Sequence, residues 1–199
     1  VQAPLDPPSA AAKSALRDQV LAARRRRPLA DSAHEAAAIA EHLTAWEEVR
    51  RAATVAAYVS VGREPGTGVL LDLLVAQGKR VLLPVLLPDL DLDWAAYHGP
   101  TSLAPASRGL LEPLSPPLGV SAVAAADVVL VPGLAASRTG ERLGRGGGSY
   151  DRALARVPVG TPVVVLLHDD EVGLDVPVDA HDRRVTHAVT PSGVVALTE

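Results

Sequence analysis

Four short apolar runs constrain what this chain can become: residues 54–60, 80–87, 128–131 and 163–167, all rich in Val, Leu and Ala. Runs of about four to eight such residues suit strands buried on both faces, whereas a buried helix needs a longer stretch. Helical segments lie before and between them. Residues 9–27 place Leu16, Val20 and Leu21 at helical spacing until Pro28 stops the pattern. Ser32 and Glu35 have the spacing of a capping box opening a helix to about residue 45. Residues 69–76 give a third helix, ended by Gly78. Buried strands separated by helices imply an α/β fold, a mostly parallel sheet with helices on both faces in a Rossmann-like three-layer sandwich. Ligand loops are then expected at the carboxyl ends of the strands.

The other segments fill in that frame. Residues 92–97 fit an antiparallel strand in a small separate lobe, and residues 98–122, with Pro100, Pro105, Pro113, Pro116 and Pro117, read as ordered loop. Residues 186–197 give two short strand-like pieces around Pro191-Ser192-Gly193. Residues 1–8, with Pro4, Pro7 and Pro8, read as a loose lead-in to one domain spanning 9–199.

Composition excludes several classes of function. A formal net charge of −4 argues against a general nucleic-acid binder, so the basic residues act locally. The absence of cysteine removes disulfides, thiolate metal sites and thiol catalysis. No apolar run approaches the roughly 20 residues of a membrane span, and no apolar signal core opens the sequence. A cytoplasmic protein without a membrane partner is expected. With aromatics at 3% and no Phe, the core must be Ala, Val and Leu, which makes the two Trp and three Tyr conspicuous.

The chemistry-bearing segment follows the third apolar run. Between Val131 and Arg152 lie Gly140, Gly144 and Gly146-Gly147-Gly148, interleaved with Arg138, Arg142 and Arg145, and a helix can open at Tyr150 or Asp151. Glycine lets the backbone approach a ligand closely and turn consecutive N–H groups onto one anion. A helix start adds free N–H groups, and arginines add forked charge suited to phosphate. The segment reads as a phosphate cradle; a merely flexible surface loop would require neither the arginines nor the immediate helix. It is not a P-loop, because Ser149-Tyr150 stands where Lys-Ser/Thr is required, and not a dinucleotide fingerprint, because Ser149 replaces its last glycine. Lys13 and Arg17, four apart, share one helix face, while the run Arg24-Arg25-Arg26-Arg27 reads as an exposed helix end. His168-Asp169-Asp170-Glu171 and His181-Asp182 lack the helical histidine spacing of a transition-metal site.

Residues 130–135 and 138–151, Leu-Val-Pro-Gly-Leu-Ala and Arg-Thr-Gly-Glu-Arg-Leu-Gly-Arg-Gly-Gly-Gly-Ser-Tyr-Asp, resemble the signature of the 5-formyltetrahydrofolate cyclo-ligases, also called 5,10-methenyltetrahydrofolate synthetases. Lys13-Ser-Ala-Leu-Arg17, Glu64, residues 78–84, Leu111-Glu-Pro113 and residues 177–182 follow in the family's order. The resemblance implies ATP-dependent closure of 5-formyltetrahydrofolate to 5,10-methenyltetrahydrofolate, through a phosphorylated formyl group, in a monomer. It implies that Lys13, Arg17 and the loop Arg142, Leu143, Gly144, Arg145, Gly146, Gly147, Gly148, Ser149 and Tyr150 bind ATP, with Lys13 and Arg145 catalytic. Val59, Glu64 and residues 145–149 would face the folate, and Asp151 and Asp182 would hold Mg²⁺. The sequence departs from the family at Ser149 and Arg108, where aromatics are usual, at Ala136-Ser137 and at Thr186. Trp94 or Tyr97 is available to supply the missing aromatic surface, as an alternative to packing in the core. Residues of this kind also suit a sugar-phosphate isomerase on a similar scaffold, or a folate- and nucleotide-binding module without catalysis.

Overall fold

A computed structural model describes the backbone of residues 7–197 and the side chains of residues 9–197. A seven-stranded sheet has the order β11-β10-β9-β6-β1-β2-β3. Its parallel core is β1 (Thr54–Ala56), β2 (Arg80–Leu86), β6 (Val128–Pro132), β9 (Val163–Leu166) and β10 (His187–Thr190). Antiparallel β3 (Leu92–Tyr97) and β11 (Gly193–Ala196) close the two edges. The α/β expectation therefore holds. Ranked by sequence, the parallel strands run 2-1-3-4-5, so the order reverses between β1 and β6. In sheets of this kind a crevice opens at that reversal, where the loops leave toward opposite faces.

The two faces follow from period-two alternation along buried strands. Val55, Val81, Leu83, Val128, Leu130, Val164 and Leu166 point to one face. There they meet Ile39 and Leu43 of α2 (Ser32–Ala45) and Leu70, Leu71 and Leu74 of α4 (Gly68–Ala76). The short α3 (Glu47–Arg51) adds Val49 to that layer. Ala56, Leu82, Val129, Val131, Val163 and Val165 point to the other face, against Ala153 and Leu154 of α5 (Ser149–Leu154). Each fully buried Val or Leu contributes about 1.5–3 kcal/mol, which is how a core without Phe suffices. A third cluster docks α1 (Pro7–Arg26) on the hairpin of β7 (Ala135–Ala136) and β8 (Arg142–Leu143), through Val20, Leu134, Leu143 and Val176.

Several expectations need correction. Residues 92–97 form no separate lobe: β3 pairs with β2 from Leu86↔Leu92 to Val81↔Tyr97 and extends the main sheet, because its buried residues cover both faces of that sheet, Leu92 and Trp94 one face and Tyr97 the other. The helix begins at Pro7 rather than Ser9, since proline in a first turn forfeits only an N–H that has no partner there. Of the lead-in expected over residues 1–8, residues 1–6 lie outside the described residues. The Ser32–Glu35 capping box does not form. A turn of 3₁₀ helix, Leu29–Asp31, draws Ser32 into α2, and Glu35 turns to Arg27 and His168 instead. Strand β1 is only three residues long and stops at Ala56, with Ala57 N still donating to Leu82 O at 2.9 Å. Residues 98–122 include a second hairpin, β4 (Leu103–Pro105) with β5 (Leu111–Pro113).

Candidate functional site

A cavity of about 940 Å³ opens at the β1/β6 reversal, and every site residue expected from the sequence borders it. The first wall is the segment after β1, carrying Tyr58, Val59, Val61 and Glu64. Ser60 and Thr67 pin this loop shut: Ser60 N donates to Thr67 Oγ1 at 2.9 Å, and Thr67 N to Ser60 Oγ at 3.1 Å. Inside it Glu64 Oε2 accepts the Val61 N–H at 2.9 Å. The Glu64 side chain is 5% exposed, and its other oxygen takes Arg145 Nε at 3.1 Å.

The Gly-rich segment, residues 142–150, forms the second wall. Gly148, at φ 68°, caps α5 in a left-handed conformation that favours glycine. A side chain at Gly140 (φ 90°) would place its Cβ 2.3 Å from the Val185 carbonyl, so only glycine lets these two loops meet. The three arginines of the segment differ in role. Arg145 is exposed and reaches Glu64. Arg142 is buried, donating to Pro132 O at 3.0 Å and to Asp151 Oδ1 at 3.3 Å, with its guanidinium 5.8 Å from the centre of the Tyr150 ring. Arg138 does not border the cavity.

Helix α1 and an acidic loop supply the third wall. Arg17 Nε donates to Gly144 O at 2.9 Å, laying α1 over the Gly-rich segment. Lys13 Nζ lies 2.5 Å from both Asp179 Oδ2 and Asp182 Oδ2. Burial alone would lower the pKa of this ammonium, but hydrogen bonds to the two aspartates outweigh it and the net shift is upward. The same bond from Lys13, helped by Ser9 and opposed by burial, holds Asp179 below the usual carboxylate range. Asp179, His181 and Asp182 bring their ligand atoms within 4.8 Å of one another. Asp151 stands apart from that trio, its Oδ1 accepting from Arg142 and from Arg183 N at 3.1 Å. The His168–Glu171 run gathers no such group: Glu171 pairs with Arg24, Asp170 with Arg27, and His168 Nδ1 lies 3.1 Å from Glu35.

The fourth wall is apolar, built from Pro84, Leu86, Leu92, Leu110 and Leu111. Trp94 and Tyr97 are core residues and do not reach it; Tyr97 Oη instead donates to Asp72 at 2.8 Å. The aromatics at the cavity are Tyr150 and Tyr58, both with phenol pKa pushed upward by burial and then by the charge of Glu64. Arg108 borders the mouth in a left-handed conformation, φ 57°. Sequence reading missed Tyr58 and Asp179. Tyr58 is one of only three tyrosines, but it fell inside the strand expected over residues 54–60, whereas the strand ends at Ala56 and leaves Tyr58 free to line the cavity.

The model of the 5-formyltetrahydrofolate cyclo-ligase family matches residues 9–191. A 5-formyltetrahydrofolate cyclo-ligase of Mycolicibacterium smegmatis is 44% identical over 191 residues, covering 93% of this chain and 97% of that protein. The Escherichia coli K12 protein of the same name is 34% identical over 158 residues, covering 78% and 87%. The solved structure of Aquifex aeolicus 5,10-methenyltetrahydrofolate synthetase superposes with a TM-score of 0.80 at 28% identity, covering 94% of this chain and 93% of that one. The signature segment, the reversal-point cavity and these likenesses coincide along nearly the whole chain, which belongs to the 5-formyltetrahydrofolate cyclo-ligase family of enzymes.

Proposed function

We propose that the chain uses ATP and Mg²⁺ to close 5-formyltetrahydrofolate to 5,10-methenyltetrahydrofolate, releasing ADP and phosphate, with both substrates held in one domain spanning residues 9–199. The observation that carries this reading is a single cavity in which a buried carboxylate, Glu64, stands opposite a cationic wall of Lys13, Arg17 and Arg145. Because one chain builds all of it, a monomer suffices.

The chemistry requires an oxygen to leave. An amide oxygen departs poorly, so attack by N10 on the formyl carbon stalls. If the formyl oxygen first attacks the γ-phosphorus and ADP leaves, that oxygen becomes part of a phosphate ester and the formyl carbon becomes more electrophilic. N10 then bonds to the carbon, loses its proton, and the C–O bond breaks to release phosphate. Such transfer depends on alignment and charge stabilisation more than on a protein nucleophile. Arg145, Lys13 and Arg17 would hold the phosphates, with the glycine backbone of residues 144–148 close beneath them. Glu64 would accept from ring N–H donors of the pterin, and the leucines would cover its faces. Binding would release Arg145 from Glu64, exchanging one anion for another.

The acidic donors suit a hard cation. Asp179 and Asp182 already enclose the Lys13 ammonium, and a few carboxylate oxygens are what Mg²⁺ takes beside phosphate and water. Asp182 and Asp151 would hold it, with Asp179 close by. Bound there, Mg²⁺ would neutralise charge on the transferring phosphate. Methenyl absorbance tests the reading. Product must form with ATP, Mg²⁺ and 5-formyltetrahydrofolate together and vanish when ATP is omitted. Binding of both ligands without product would leave a non-catalytic module, and no response to either ligand would overturn the reading.

A further inference from the structure

Arg24 lies outside the main cavity yet ties two segments that line it, α1 and the chain at Gly133, to the turn after β9. Its Nε and Nη2 hold the two oxygens of Glu171 at 2.7 and 2.8 Å, and Nη2 also donates to Gly133 O at 2.7 Å. The side chain is 1% exposed, the reverse of the exposed helix end read from the arginine run. Gly133 follows β6 and leads into the β7–β8 hairpin. Glu171 closes the turn after β9, where its carboxylate accepts the His168 N–H at 3.0 Å. One guanidinium thus ties α1 to the carboxyl ends of the two central strands β6 and β9.

Helical geometry links this grip to the cations of the site. At about 100° per residue, Lys13, Arg17, Val20 and Arg24 fall within roughly 60° of one another on α1. Lys13 stands about 16 Å along the axis from Arg24. Val20 packs on Leu134, Leu143 and Val176, a contact without direction, and the bonds of Lys13 and Arg17 to Asp179, Asp182 and Gly144 would have to yield to a bound nucleotide. A planar fork on three fixed acceptors resists sliding and rotation, because charge-assisted hydrogen bonds are directional and lysine could not reproduce the fork.

We propose that Arg24, through Glu171 and Gly133, is a positioning residue that sets the rotation and axial register of α1 and so presents Lys13 and Arg17 to nucleotide phosphates. The second half of this statement rests on the ATP reading above. Two variants test it: Glu171→Gln, which keeps the shape and removes the charge, and the pair Arg24→Met with Glu171→Met, which replaces a buried ion pair by apolar volume, a change often tolerated by folds.

Amide exchange without ligand comes first. Both variants should exchange residues 13–21 about tenfold faster than wild type while α2 stays protected; unchanged exchange in a folded variant overturns the proposal. ATP affinity follows. The Met pair should weaken ATP about tenfold on the wild-type background and less than about twofold on a Lys13→Met background, because residues acting through one another are not additive. Folate affinity should hold within about twofold. Equal loss of ATP on both backgrounds, or parallel loss of folate, makes Arg24 a general stabiliser and overturns the proposal. Should the Met pair not fold, Glu171→Gln decides both arms. If wild type binds no ATP, the nucleotide reading has failed, and exchange alone judges the grip on α1.

Discussion

Replacing Lys13 by Met should cost stability in a way that pH reveals. Met keeps much of the aliphatic stem and so the packing, but removes the ammonium between Asp179 and Asp182. Stripping one partner from a fully buried pair costs about 3–5 kcal/mol, and from an exposed one below about 1 kcal/mol. Here the lysine side chain is 8% exposed and the aspartates 20% and 18%, so the loss should be about 2 kcal/mol. For a chain of this length that lowers Tm by about 4–8 °C. The pKa of Asp179 is depressed in the folded state, chiefly by Lys13, so its contribution is complete above its unfolded value of 3.8 and is lost as pH falls through the lower folded value. The difference in Tm between wild type and variant should therefore be full at pH 7 and smaller at a pH well below 3.8, shrinking as the folded carboxylate protonates. Thermal unfolding followed by circular dichroism measures it. A difference that is the same at both pH values, or absent at pH 7, would refute the reasoning.

Three further outcomes follow from the same geometry. Arg145→Ala, at a side chain 56% exposed, should leave Tm within about 1 °C yet lower kcat/KM by roughly 30- to 1000-fold, about 2–4 kcal/mol. Steady-state kinetics decides this, and wild-type turnover would remove Arg145 from phosphate transfer. Asp151→Asn should raise the Mg²⁺ concentration for half-maximal rate roughly tenfold; an unshifted Mg²⁺ titration excludes Asp151 from metal binding. Gly140→Ala should destabilise by about 2–3 kcal/mol, since its Cβ would stand 2.3 Å from Val185 O at φ 90°. A wild-type Tm in that variant would show that the two loops are not pinned together there.

Much of the fold was legible because buried parallel strands write themselves as uninterrupted apolar runs, and those near residues 80, 128 and 163 became β2, β6 and β9. The glycine–arginine segment was legible as a cavity wall because clustered glycines and arginines after a buried strand mark a ligand loop, and residues 142–150 do border the cavity. Where the sequence misled, the deciding partner was remote. Nothing in Leu92–Tyr97 says which sheet it joins, and Ser32 lost its capping role to a 3₁₀ turn formed by residues before it. Arg24 was hidden in a run of four like residues, although its spacing from Lys13 and Arg17 already placed all three on one helix face. Its partner Glu171, 147 positions away, could be seen only in three dimensions.

The fate of the formyl oxygen tests the central claim most directly. 5-Formyltetrahydrofolate labelled with ¹⁸O in the formyl group is turned over with ATP and Mg²⁺, and the released phosphate is analysed by mass spectrometry. Closure through a phosphorylated formyl group carries the label into phosphate, one atom per methenyl product. Label appearing in water, with unlabelled phosphate, would contradict the account.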